Sequence, residues 1–189
     1  MDCRQVGHGT WLPIAPFRIL DVPEELIEAD GGLELSELGV GPAFGSQRME
    51  VMELTSATVP EISYSLQQDV LAFDWWIRNG DRLLTERGGN PDLFWEPASR
   101  SLVVLDHNQA FDLDFDPGNF IERHVFAGQR QPVFGDMLRH HEYTARFSSV
   151  LNGWIEIRAA IPEAWLFADP EMTVPADFDL DRTYQLLKR

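Results

Sequence analysis

The run from Thr58 to Gly80 constrains this chain more than any other stretch. Thr58-Val59-Pro60-Glu61 has the spacing of a capping box, with proline in the first turn, where a missing N–H costs nothing. Ile62, Leu66, Val70, Phe73 and Ile77 then recur every three or four residues, which gives a helix one apolar face that the rest of the fold must cover. Asn79-Gly80 predicts its end, because glycine adopts the left-handed conformation that closes helices.

The flanking text is shorter-ranged. Phe17–Val22 predicts a strand behind a proline-stiffened lead-in, and Asp21 with Glu24 predicts a cap for a short helix through Pro23–Ala29. Glycines and acidic residues from Gly31 to Ser56 predict loop with at most one short strand, and Asp81–Asn90 predicts a polar, glycine-ended loop. Leu93-Phe94-Trp95 and Leu102–Leu105 flank Glu96–Arg100 as a hairpin would. Further helices are expected over Asn119–Ala127 and Asp136–Asn152, the second resting on Leu138, Ala145 and Leu151, with others starting at Pro162 and Leu180. The pattern is α+β: a mainly helical body over 58–189, preceded by a strand-bearing segment over 1–57.

Charge narrows the function. Among 189 residues, 31 are acidic and 15 basic, a formal charge of −16. Such a field repels phosphate backbones and anionic lipid, so neither direct nucleic-acid binding nor membrane association is expected. Fourteen of the basic residues are Arg and only Lys188 is a lysine, which removes lysine chemistry from the structured core. The single cysteine, Cys3, has no partner for a disulfide or a zinc pair. No run of 18 apolar residues and no basic-then-apolar leader is present, so the expected location is cytoplasmic.

Three short blocks carry residue types suited to phosphoryl transfer: Asn79-Gly80-Asp81-Arg82, Gly88-Gly89-Asn90 and Asp106-His107. One carboxylate would take the hydroxyl proton, while an asparagine and a second aspartate would supply hard oxygens to magnesium. From spacing alone the ordinary reading stays open, with Asp81 and Arg82 in a salt bridge, Asn90 in a turn and Asp106 ending a strand. Asp112, Asp114 and Asp116 imitate the start of a calcium loop, but Pro117 and Arg123 stand where that loop needs glycine and glutamate. They predict an acidic loop anchored by Leu113 and Phe115. His140-His141 point about 100° apart on a helix and predict a solvated pair.

The wider text has a family look. Residues 71–111 read LAFDWWIRNGDR, then GGNPDLFW, then LVVLDHNQAF. This resembles the HipA-like kinase family, whose catalytic segment runs FDxxxxNxDR, then GN, then a strand ending in IDH with AF shortly after. The resemblance implies a protein-kinase-like fold with a mainly helical C-lobe, a small β-hairpin and a truncated N-lobe. It implies Ser/Thr phosphotransfer with ATP and magnesium onto a protein substrate. Residue by residue, Asp81 matches the catalytic aspartate and Arg82 its neighbour, while Asn90 and Asp106 match the metal ligands. Asn79 and His107 fall on the cofactor side, Asp74 and Asn79 supporting the loop and His107 orienting the Asp106 turn.

Two departures matter. The stretch from Asp81 to Asn90 is longer than the DRHxxN spacing of the better-known members. Only 43 residues precede Phe44, none of them lysine, and the Gly39–Gly45 run has its third glycine one place late for a phosphate-covering loop. These departures leave three readings: a separate N-lobe or antitoxin-like protein partner completes the enzyme, as in a toxin–antitoxin pair; an arginine substitutes for the lysine; or the chain is a non-catalytic pseudokinase or regulatory protein-binding module.

Overall fold

The computed structural model describes residues 11–29, 38–85 and 88–189, without the side chains of residues 85, 88 and 90. Cys3 and part of the loop expected from Gly31 lie outside the described residues. In chain order the elements are β1 (Phe17–Val22), α1 (Glu24–Ala29), β2 (Gly41–Ser46), β3 (Met52–Glu53), α2 (Tyr64–Ile77), β4 (Leu83–Thr85), β5 (Gly88–Asn90), β6 (Leu93–Glu96) and β7 (Ser101–Val104). Helices α3 (Pro117–Arg123), α4 (Met137–Leu151), α5 (Trp154–Ala159) and α6 (Leu180–Leu187) follow. No helix among the described residues is long and apolar enough to cross a membrane.

Helix α2 is central, but its ends differ from the sequence expectation. Thr58 makes no capping bond; its hydroxyl turns back to Thr55, and Val59–Glu61 form a single 3₁₀ turn. Ser63 is the true N-cap, accepting from the Leu66 N–H at 3.3 Å. The left-handed residue that closes the helix is Arg78, at φ 58°, rather than Gly80. The reason lies one residue on: Asn79 is drawn into the core, where its amide donates to Asp74 at 3.1 Å. That buried bond offsets the cost of a left-handed non-glycine residue, about 1–2 kcal/mol.

The strands form three small antiparallel sheets. β3, β6 and β7 form one, and Ile14 bridges to Val104 so that the lead-in segment lies along the β7 edge. β1 and β2 form a hairpin-like pair, which places Asp21 inside a strand opposite Pro42 rather than at a helix cap. The Gly39–Gly45 run is thus largely strand β2.

The third sheet corrects the expected loop at 81–90. β4 and β5 pair with Leu83 opposite Asn90, Leu84 opposite Gly89 and Thr85 opposite Gly88. The extra residues therefore close on themselves, and the chain returns to its starting point beside Arg82.

The core gathers Val70 and Leu71 of α2, Leu93 and Trp95 of β6, Leu102 and Val104 of β7, and Phe120, Phe126 and Tyr143. α4 meets it through Tyr143 and Phe147, while Leu138 and Ala145 are exposed, so its apolar face is rotated from the expected one. Of the two anchors expected in the acidic loop, Phe115 packs on Trp75 and Phe120 but Leu113 is exposed.

Candidate active site

The site is built on one buried side chain. Arg82 has no solvent exposure, and its guanidinium is spent entirely inside the protein. Nε faces the Asp74 carboxylate at 2.9–3.0 Å. Nη1 donates to the carbonyls of Pro91 and Asp92 at 3.0 and 2.9 Å, and both Nη atoms reach that of Leu105 at 3.2 Å. Nη2 also donates to the Asp106 carbonyl at 2.9 Å. The rigid fork of an arginine is suited to this, since five N–H groups leave one plane at fixed angles. It ties together the turn after β5 and the exit of β7, which are 14 residues apart in sequence.

Beneath it, Asp74 is fully buried and accepts from Asn79, Arg82 and His124. Burial alone would raise its pKa. The His124 hydrogen bond and the Arg82 charge outweigh that and hold it below the ordinary range. Phe126 N–H donates to His124 Nδ1 at 3.1 Å, so Nε2 carries the proton given to Asp74. The backbone at 124–125 also grips the site: Val125 N–H donates to the Arg82 carbonyl at 2.8 Å, and Leu83 bridges to His124.

Around this anchor stand the residues singled out from sequence. Asp81 immediately precedes Arg82, and its carboxyl is pushed above the ordinary range by burial, with the nearby Asp92 adding to this and Arg82 opposing it. The backbone of Asn90 pairs with Leu83 and leads into the tethered Pro91, whereas its side chain lies outside the description. Asp106 sits at φ 50° with an exposed carboxylate, one oxygen of which accepts from Asn108 N–H at 3.0 Å. His107 lies edge-on to Phe73 at 5.6 Å, and burial and then the Arg82 charge lower its pKa from the ordinary imidazole value. The segments bearing Asp81, Asn90 and Asp106 thus all converge on Arg82. Asn79 and Arg82 do not face solvent; they position others from within the core.

Among the described residues, four buried side-chain polar atoms lack a partner, and three of them belong here: Asn79 Oδ1, Asp81 Oδ1 and His107 Nε2. Buried acceptors left unpaired are costly, and they concentrate where a ligand is to be received. No three His, Cys, Asp or Glu side chains among the described residues form a metal cage. Magnesium does not require one, since it is held by one or two protein oxygens together with substrate phosphates and water. The carboxylates of Asp81 and Asp106 are hard-oxygen donors of the type that ion takes.

His124 is the residue whose importance the sequence hid. Nothing in its neighbourhood names its partner, Asp74, which stands 50 residues earlier.

A family model described as HipA-like kinase matches residues 2–189, and the chain belongs to that family. No curated protein and no solved structure matches it.

Proposed function

We propose that this chain is a Ser/Thr phosphotransferase of the HipA-like kind, using ATP and magnesium on a protein hydroxyl. Asp81 accepts the hydroxyl proton, and Asn90 and Asp106 hold the metal. The supporting observation is the buried, unpartnered Oδ1 of the half-buried Asp81, beside a guanidinium that fixes both neighbouring segments. A carboxylate with a raised pKa and an oxygen free of internal bonds is a better base than a solvated aspartate. Arg82 keeps the loops in register, so positioning carries much of the rate. Bound magnesium would supply charge neutralisation at the phosphates. In this reading residues 1–57 are the N-lobe remnant and 58–189 the C-lobe, stitched together by the β3–β6 pairing.

One observation favours a second reading, the non-catalytic protein-binding module. The sole lysine, Lys188, caps α6 with its Nζ 5.8 Å from the Tyr184 ring centroid, and no other is present to hold the α- and β-phosphates. An N-lobe or antitoxin-like partner would restore that cation.

A thermal-shift titration with magnesium-ATP separates the readings. Stabilisation that is lost in Asp106→Asn supports the enzyme, and so does phosphate transfer lost in Asp81→Asn with the shift retained. No shift at saturating nucleotide, alone or with a partner from the neighbouring reading frame, overturns it.

A further inference from the structure

A second concavity lies along the α4 side of α2. It has a volume of about 330 Å³ and is walled by Trp75, Trp76, Phe115, Phe134, Tyr143 and Phe147. A neighbouring hollow of about 280 Å³ shares Trp76, Thr144, Phe147 and Arg189 with it, so the two run together between α4 and α6. Their floor is the Trp76–Phe147 pair, stacked at 4.4 Å with 6° between the planes. Trp76 is locked there by its indole N–H, which donates to the Leu187 carbonyl at 2.8 Å.

The charge lining the groove is anomalous for this chain. Acidic residues outnumber basic ones 31 to 15 overall, yet among the described residues no Asp or Glu lines either hollow. Arg78 and Arg189 line the first, and Lys188 and Arg189 the second. Among the described residues none of the three is in an ion pair, although Lys188 lies over the Tyr184 ring; the arginine pairs are those of Arg82, Arg100, Arg139, Arg146 and Arg158. Arg78, the left-handed residue that closes α2, is half-buried in the lining of the first hollow. A preformed aromatic hollow at the small end of the ligand-pocket range, with arginines in its lining, suits a planar apolar body with an anionic head.

We infer that this groove is a binding site for a small aromatic carboxylate or phosphate, separate from the candidate phosphotransfer site. Its ring system lies against Trp76 and Phe147, and its anion meets Arg78, with Lys188 or Arg189. The inference is independent of whether the chain transfers phosphate.

The test uses 2-naphthoate as the probe and 2-naphthalenemethanol as its neutral isostere, read by quenching of tryptophan fluorescence and by isothermal titration on the full chain. Naphthoate is expected to bind about tenfold more tightly than the alcohol, as one hydrogen bond between charged groups contributes. Arg78→Gln should remove most of that preference, and Thr144→Trp, which fills the shared wall from an exposed position, should abolish binding without altering the melting temperature appreciably. Equal affinity for acid and alcohol, or no binding at millimolar probe, overturns the assignment. So does displacement of naphthoate by magnesium-ATP, which would make the groove part of the nucleotide site.

Discussion

Arg82 donates to the main-chain carbonyl of Asp106 at 2.9 Å from a side chain wholly sealed from solvent. A metal-site candidate 24 residues downstream is therefore held by the residue next to the candidate base. Arg82→Lys keeps the charge but has one ammonium where five donors were used. Some of the carbonyls of Pro91, Asp92, Leu105 and Asp106 would be left without a donor, and Asp74 would lose its close partner. Each buried carbonyl stranded in this way costs about 1–3 kcal/mol. Urea unfolding should show a loss of that order, and a change under about 1 kcal/mol would mean that water can replace the fork.

A second expectation concerns Gly89. A Cβ there would lie 2.3 Å from the Leu83 carbonyl oxygen and 3.0 Å from the Leu84 Cα, both rigid backbone of the partner strand. Gly89→Ala must open the β4–β5 pairing that brings Asn90 opposite Leu83. Overpacking of this kind typically costs about 1–3 kcal/mol. The proposed magnesium-ATP binding should weaken by more than the lost stability accounts for, because the hairpin sits at the candidate site and outside the core. Unchanged magnesium dependence in a titration would show that Asn90 needs no such hairpin.

The helix core and the β6–β7 hairpin were legible because their signals are local: apolar residues at helical spacing in one, turn residues between apolar pairs in the other. The β4–β5 hairpin was not. Gly88-Gly89-Asn90 has no strand-like side chains, and its pairing rests on main-chain bonds and on the absence of a Cβ at Gly89. The position of Arg82 was equally hidden. Sequence made it a neighbour of Asp81, whereas its partners are a carboxylate eight residues earlier and carbonyls up to 24 residues later. Carbonyls are the same at every position, so no residue pattern could announce them. Exposure misled at α4 too, where Leu138 continues the helical spacing but faces water while Tyr143 is buried to reach Asp69.

The raised pKa of Asp81 gives a third test. Burial, the largest cause, makes the folded chain hold this proton more tightly than the unfolded chain does, from an ordinary value of 3.8. Between the unfolded and the folded pKa the native state binds more protons, so this group's contribution falls as pH rises through that window. Asp81→Asn removes the ionisation. Its stability relative to the wild type should increase from acid to neutral pH and then level off. Paired denaturation curves between pH 4 and 7 read the difference directly, and a flat difference would place Asp81 in a solvated environment.

The last expectation concerns His124, which acts on the site from below. Its Nε2 proton serves Asp74 and its Nδ1 accepts from Phe126 N–H, with the rings of Phe120 and Phe126 on either side. His124→Phe fills the space but strands two polar groups, each costing about 1–3 kcal/mol. The pH dependence distinguishes this from a plain packing defect. Asp74 is held below the ordinary carboxylate range despite its burial, first by the His124 hydrogen bond and then by the Arg82 charge. A depressed folded pKa contributes stability above the unfolded value of 3.8 that is lost as pH falls through the folded one. Without His124 the folded pKa of Asp74 rises, so acid unfolding should begin at a higher pH than in the wild type. His124→Asn, whose amide can still donate, should recover part of that shift. An acid midpoint that stays put in His124→Phe would mean that Arg82 alone fixes the charge on Asp74, leaving His124 as filler between two phenylalanine rings.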